Sequence, residues 1–113
     1  MRISDLVEST VTEGVNRTLH VGNFEVAMLD HAVKQMRDRG IRFGEVDRIL
    51  KKMLRYSEEI SQMDDREGFF VIHHHKKISL GIAKMPGNKL ALITAIDTET
   101  PYAKGVDKSF DVN

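Results

Sequence analysis

The chain has 113 residues, enough for one domain with its own core, and no cysteine, which excludes disulfide frameworks, thiolate nucleophiles and thiolate zinc sites. Its N-terminus, "MRISDLVEST", is too polar for a signal-peptide core, and no apolar run approaches the roughly 20 residues of a membrane span. A soluble protein with no membrane partner is therefore expected, in the cytoplasm of its own cell or of a host.

Formal net charge is zero but unevenly spread. Residues 31–55 hold eight Lys/Arg against three acids, and residues 73–89 hold four Lys and no acid; the segments 1–30, 56–72 and 90–113 are acidic and compensate. Two basic blocks can build a local polyanion site on a neutral protein, or they can be solvated faces that alternate in sign.

In chain order, residues 1–23 show no sustained period. "ISDLVESTV" permits one helical turn capped by Ser4, but Gly14 and Gly22 interrupt the residues after it, so the segment is assigned to an N-terminal arm. "NFEVAML" (23–29) is ambiguous between a strand and the start of a helix. Asp30 is placed to cap a helix over 31–39 that Gly40 closes in the left-handed region. On that helix Ala32, Val33 and Met36 share one side, and His31, Gln35 and Arg39, four apart, share another.

A second helix is predicted from Val46, Ile49, Leu50, Met53 and Leu54, an i, i+3, i+4, i+7, i+8 apolar stripe. Arg48, Lys51, Lys52 and Arg55 occupy its opposite side, where like charges four apart repel by about 0.2–0.5 kcal/mol per pair. From residue 68 the period changes. "GFFVIHHH" and "KISLGIAKM" read as strands joined near Lys76, "PGNK" as a hairpin turn and "LALITAID" as a third strand, with "YSEEISQMDD" as a further edge strand. The expected architecture is α+β: two short N-terminal helices packed on one face of a three- to four-stranded antiparallel sheet, within a single domain spanning 24–98 and followed by a tail over 99–113.

Three places can carry chemistry. His31 opens a helix, where the macrodipole favours a neutral imidazole able to act as a base, and Arg39 on the same face suits a phosphate. The plainer reading is a partly exposed surface histidine, and Arg37 points nearer to solvent. "HHHKK" (73–77) puts His73 and His75 on one side of a strand and His74 on the other; it reads as a polar strand end, or as a phosphate-binding or catalytic site. No third ligand stands at metal-ligand spacing, so no metal is expected. Thr94 is the lone hydroxyl in "LALITAI", either a satisfied strand residue or a site donor. Tyr56, Tyr102, Phe69 and Phe70 are expected mostly in the core.

"HAVKQMRDRGI" followed by "EVDRIL" resembles the helix pair of the barnase–EndoU–colicin–RelE group of small ribonucleases, in particular its phage-encoded RegB-like members. The meander "GFFVIHHHKKISLGIAKMPGNKLALITAID", with Thr inside its last apolar run, extends the resemblance over about residues 29–97. The resemblance implies a RelE-like fold and metal-independent endoribonuclease activity, with no cofactor: the 2′-hydroxyl attacks the adjacent phosphate and leaves a 2′,3′-cyclic end. It implies His31 as base or acid, Arg39 as the following arginine and Thr94 as the last-strand hydroxyl. Lys51 stands where a second helical histidine is usual and Gln35 where another arginine is common, so the acid would fall to one of His73–His75, chiefly His73 or His75. RNA, including mRNA on the ribosome, would be held through its backbone by Arg37, Arg48, Lys51, Lys52, Arg55, Lys76 and Lys77. The alternative is a non-catalytic phage accessory protein of the same fold that binds a host protein or nucleic acid, which the net neutrality favours.

Overall fold

A computed structural model describes residues 14–98 and 108–112. The helical turn expected in "ISDLVESTV" and the tail from 99 to 107, with Tyr102, lie outside the described residues.

The helical predictions hold locally. The first helix, α1 (Asp30–Arg39), ends at Gly40 with φ 68°, and Ile41 N–H donates back to Met36 O (2.8 Å), which satisfies a terminal carbonyl as a left-handed closure should. Asp30 is not the cap but the first helical residue, and its carboxylate accepts from Asn16 Nδ2 (3.2 Å). In α2 (Phe43–Met53) Val46, Ile49, Leu50 and Met53 are buried while Arg48, Lys51 and Lys52 are exposed, as the stripe requires. Glu45 accepts from the free N–H of Arg42 (3.2 Å) and secures the first turn. A 3₁₀ turn (Leu54–Tyr56) and α3 (Ser57–Ser61) continue the helical run, so "YSEEISQMDD" supplies a helix and not an edge strand. Ile60, wholly buried, is its anchor to the core.

The sheet differs most from expectation. It has six strands and is mixed, in the order β1-β2-β5-β4-β3-β6, where β1 is Val15–Val21, β2 Phe24–Leu29, β3 Gly68–His73, β4 Ile78–Lys84, β5 Lys89–Ile96 and β6 Lys108–Asp111. The expected antiparallel meander is present as β3–β4–β5. To it are added an N-terminal β1–β2 hairpin and two parallel seams, β2 with β5 and β3 with β6. The expectation of two N-terminal helices on a three- to four-stranded antiparallel sheet is therefore corrected: strands precede the helices, and residues assigned to the arm (15–21) and the tail (108–111) are sheet strands.

The reason lies in "VNRTLHVGNFEVAML". Gly22 and Asn23 form a two-residue turn in which only Gly22 has positive φ (60°), the pattern that puts glycine first in a hairpin turn matching strand twist. β1 is almost wholly exposed, so it shows no apolar alternation to read, whereas Val26 and Met28 on β2 are fully buried.

The helices lie on one side. Ala32, Val33 and Met36 of α1 and the α2 stripe share one core cluster with Val26, Met28, Phe69, Val71, Leu80, Ile82, Leu90 and Leu92. A smaller cluster, Leu29, Phe70, Ile72, Ala83, Ala91 and Ile93, marks the opposite sheet face. Buried Lys84 donates to the carbonyls of Met85 and Gly87 (both 2.7 Å) and so ties the "PGNK" turn to its strand. Tyr56 and Phe69 pack on Phe110, and Tyr56 Oη donates to Asp111 O (2.7 Å), which pins β6; Phe69 is in the core, and Tyr56 and Phe110 are partly buried against it.

Gly22 tests the hairpin. A Cβ there would sit 2.7 Å from Leu54 Cδ2 on a backbone already in the left-handed region. Gly22→Ala is expected to lower stability by about 1–3 kcal/mol in urea unfolding, whereas Gly40→Ala, with open space around its Cβ, carries the backbone term alone.

Candidate functional site

Beyond Leu92 the edge of β5 has lost its neighbour, because the pairing of β2 with β5 stops at Met28–Leu92. The chain leaves β2 directly into α1, and two α1 side chains take the missing strand's place. Gln35 Oε1 accepts from Ala95 N–H (3.1 Å), and Arg39 Nη1 donates to Ala95 O (2.6 Å). Gln35 Oε1 also accepts from Thr94 Oγ1, and Arg39 Nε lies 3.6 Å from Asp97 Oδ1. The i, i+4 spacing expected to give a phosphate-facing trio is thus, at two of its three positions, a side-chain seam that satisfies both backbone groups of one residue. Thr94 serves the same seam.

The expected catalytic set does not converge. A β-bulge at β5, where Gly81 pairs with Thr94 but Ile82 with Leu92, turns Thr94 to the side of the smaller apolar cluster. His73 alternates with Phe70 and Ile72 and in phase with Phe69 and Val71, so it faces the helices. Thr94 and His73 are therefore on opposite sheet faces and two strands apart, roughly 10 Å at about 4.8 Å per spacing. His31 is half-buried one turn before Gln35, on the far side of β5 from β4.

The second cluster is compact. His73, 5 % exposed, ends β3; its Nδ1 accepts from Lys76 N–H (3.1 Å), and its Nε2 lies 3.3 Å from Lys52 Nζ in the last turn of α2. Burial first, then the Lys52 charge, lowers the His73 pKa from its ordinary value of 6.5; a backbone hydrogen bond opposes the shift, and Lys76 and His75 add smaller contributions to it. The His75 ring stands 6.4 Å from that of His73, in the turn that also carries exposed Lys76 and Lys77, where Lys77 has φ 55°. His74 points to β6, with Nε2 2.8 Å from Asp111 Oδ1. With His73 Nδ1 accepting a backbone hydrogen bond, the neutral ring carries its proton on Nε2 and is a donor there.

Of the residues expected on an RNA backbone, Arg48 and Arg55 are exposed on the α2 side, Lys52 reaches His73, and Lys76 Nζ lies 3.9 Å from Glu45 of α2. Lys51 is paired with Asp47 (2.9 Å). Arg37 is elsewhere, in a shallow groove of about 360 Å³ with Asn16, Arg17 and Phe43. There the Arg17 guanidinium sits 4.0 Å from the centroid of the Phe43 ring, a contact that the sequence signals only through an aromatic placed outside the α2 stripe. Among the described residues no group of three or more His, Asp or Glu is arranged to hold a metal, and no helix is long and apolar enough to cross a membrane.

Comparison with protein-family models, with curated proteins and with solved structures returned no match.

Two measurements separate seam from site. Gln35→Ala leaves the N–H of wholly buried Ala95 without an acceptor and is expected to cost about 1–3 kcal/mol in chemical denaturation, whereas His31→Ala should stay within about 0.5 kcal/mol. The lowered His73 pKa means that the unfolded chain takes up a proton before the folded one does. Its contribution is complete above the unfolded value near 6.5 and is lost as pH falls from there through the folded pKa. Urea midpoints from pH 7.5 down to pH 5 should fall less steeply in His73→Gln than in the wild-type chain.

Proposed function

We propose that the chain is an RNA-binding protein that holds the phosphate backbone on the surface formed by α2 and the β3–β4 turn. The observation that carries this reading is that two basic blocks, distant in sequence, are adjacent in space. Lys52 of the first touches His73 of the second (3.3 Å), and Lys76 of the second reaches back to Glu45 on α2 (3.9 Å). Arg48 and Lys52 on α2 and Arg55 in the 3₁₀ turn after it are all exposed at i, i+4, i+7 spacing, and the Lys76–Lys77 turn lies alongside α2. A neutral protein that concentrates its lysines and arginines in this way can gain from counterion release without a basic net charge.

Between the two activities raised by the resemblance, binding without cleavage is favoured. Transesterification needs a base, an acid and a charge stabiliser about one phosphate. Here Arg39 and Thr94 are committed to the β5 edge, and His73, expected as the acid, lies on the opposite face of the sheet from Thr94. Binding needs only the juxtaposed cations. The sequence tolerance of the interface comes from its chemistry, since ammonium and guanidinium groups on phosphates carry no base information.

The test is fluorescence anisotropy with a labelled single-stranded RNA over a range of salt, in EDTA. Affinity should fall with salt at a slope of about −0.7 per phosphate neutralised, and Arg48→Glu with Arg55→Glu should weaken binding and flatten that slope. Absence of binding at low salt, or binding unaffected by the double variant, overturns the proposal. Accumulation of 2′,3′-cyclic ends that His31→Ala abolishes would replace it with the endoribonuclease.

A further inference from the structure

The contact between Lys52 and His73 has the wrong complement of protons for a hydrogen bond. An ammonium offers three donors and no lone pair. A neutral imidazole has one donor and one acceptor, and its acceptor, Nδ1, is taken by Lys76 N–H in the turn that closes β3 onto β4. The other tautomer only moves the conflict, because it sets Nδ1–H against that backbone N–H. The backbone is held by the hairpin, with Lys77 N–H donating to His74 O (3.2 Å), whereas Lys52 is long and exposed. The stable arrangement therefore has Nε2–H and Nζ–H aimed at the same space. His73 is nine-tenths buried or more, and among the described residues no carboxylate pairs with Lys52.

From this we infer that Lys52 Nζ and His73 Nε2 form a binding site for a phosphoryl oxyanion, with the Lys76 charge and the β3–β4 turn behind it. One oxygen placed about 2.9 Å from both nitrogens accepts from each, which turns a donor–donor contact into two charge-assisted or ring N–H hydrogen bonds. The arrangement is selective for an acceptor with negative charge: a neutral carbonyl would satisfy the geometry but leave the Lys52 charge uncompensated. It also fits the lowered His73 pKa, because the positive charge of the site stays on the lysines with a neutral donor beside Lys52, and an empty site stays tolerable at neutral pH. The inference rests on the RNA-binding reading only for the origin of the phosphate. The same chemistry would hold a backbone diester, a terminal monoester or free phosphate.

The experiment follows the His73 ring resonances of the full chain by NMR while inorganic phosphate is added at constant ionic strength. A saturable shift is expected. Lys52→Gln, on an exposed position that the fold does not use, should weaken it by about ten- to a hundredfold, the loss of one charge-assisted hydrogen bond, and Lys52→Arg should restore most of it. Short RNAs with and without a 5′-phosphate then distinguish the sources. An equal response assigns the site to backbone diesters, and a response to the phosphorylated RNA alone assigns it to terminal monoesters. No shift, or the same shift in Lys52→Gln, overturns the site even if RNA still binds along α2. A Lys52-dependent response to phosphate with no RNA binding upholds the site and overturns the RNA reading instead.

Discussion

A β-strand that outruns its neighbour leaves backbone donors and acceptors that something must meet, and β5 is such a strand at the centre of this sheet. The chain meets the need with a glutamine and an arginine one helical turn apart, an oxygen for the N–H and a guanidinium for the carbonyl of Ala95. Much else depends on that seam. It fixes the azimuth of α1, so that Ala32, Val33 and Met36 enter the core and Arg37 is turned away from it. It also draws the Thr94 hydroxyl across the β5 bulge, and it commits side chains that a phosphate-cleaving site would otherwise claim.

The positive surface is organised by a different rule. α2 carries an apolar stripe and a basic side, and the stripe sets the rotation of the helix. Once Val46, Ile49, Leu50 and Met53 are buried, the last-turn lysine has to hang over the end of β3. Burial of His73 on the strand's helical side supplies the second half of that meeting, and neither side chain needs a carboxylate to hold it. An ion pair would have been locally more stable but would have discharged the surface.

The two helices and the β3–β4–β5 meander are legible in the sequence because each has a period or a punctuation that depends only on local chemistry: the α2 stripe, the left-handed Gly40, the "PGNK" turn. The β1–β2 hairpin is marked by Gly22–Asn23, but an exposed β1 has no buried side to alternate against, and "FEVAML" fits two periods equally well. The parallel pairings of β2 and β6 carry no local mark at all, since they join segments whose register is set by the rest of the sheet. At the site, the spacing of His31, Gln35 and Arg39 does mark one face of a helix. What that face meets depends on where β2 stops, and a sequence does not display the end of a neighbouring strand. The two basic blocks are visible as counts, while their contact through Lys52 and His73 is a tertiary fact.

The strand order also decides how the chain can reach this structure. β3, β4 and β5 succeed one another through short turns, so their pairing closes small loops. β2, by contrast, must find β5 from across both main helices and two intervening strands, and its loop-closure entropy is met only when a surface already exists to receive it. The least demanding path runs from the middle of the sheet outward, with the meander as template and the N-terminal hairpin arriving late. On that path the edge of β5 stands open until α1 docks, and Gln35 and Arg39 close it in the same step that seats the hairpin beside it.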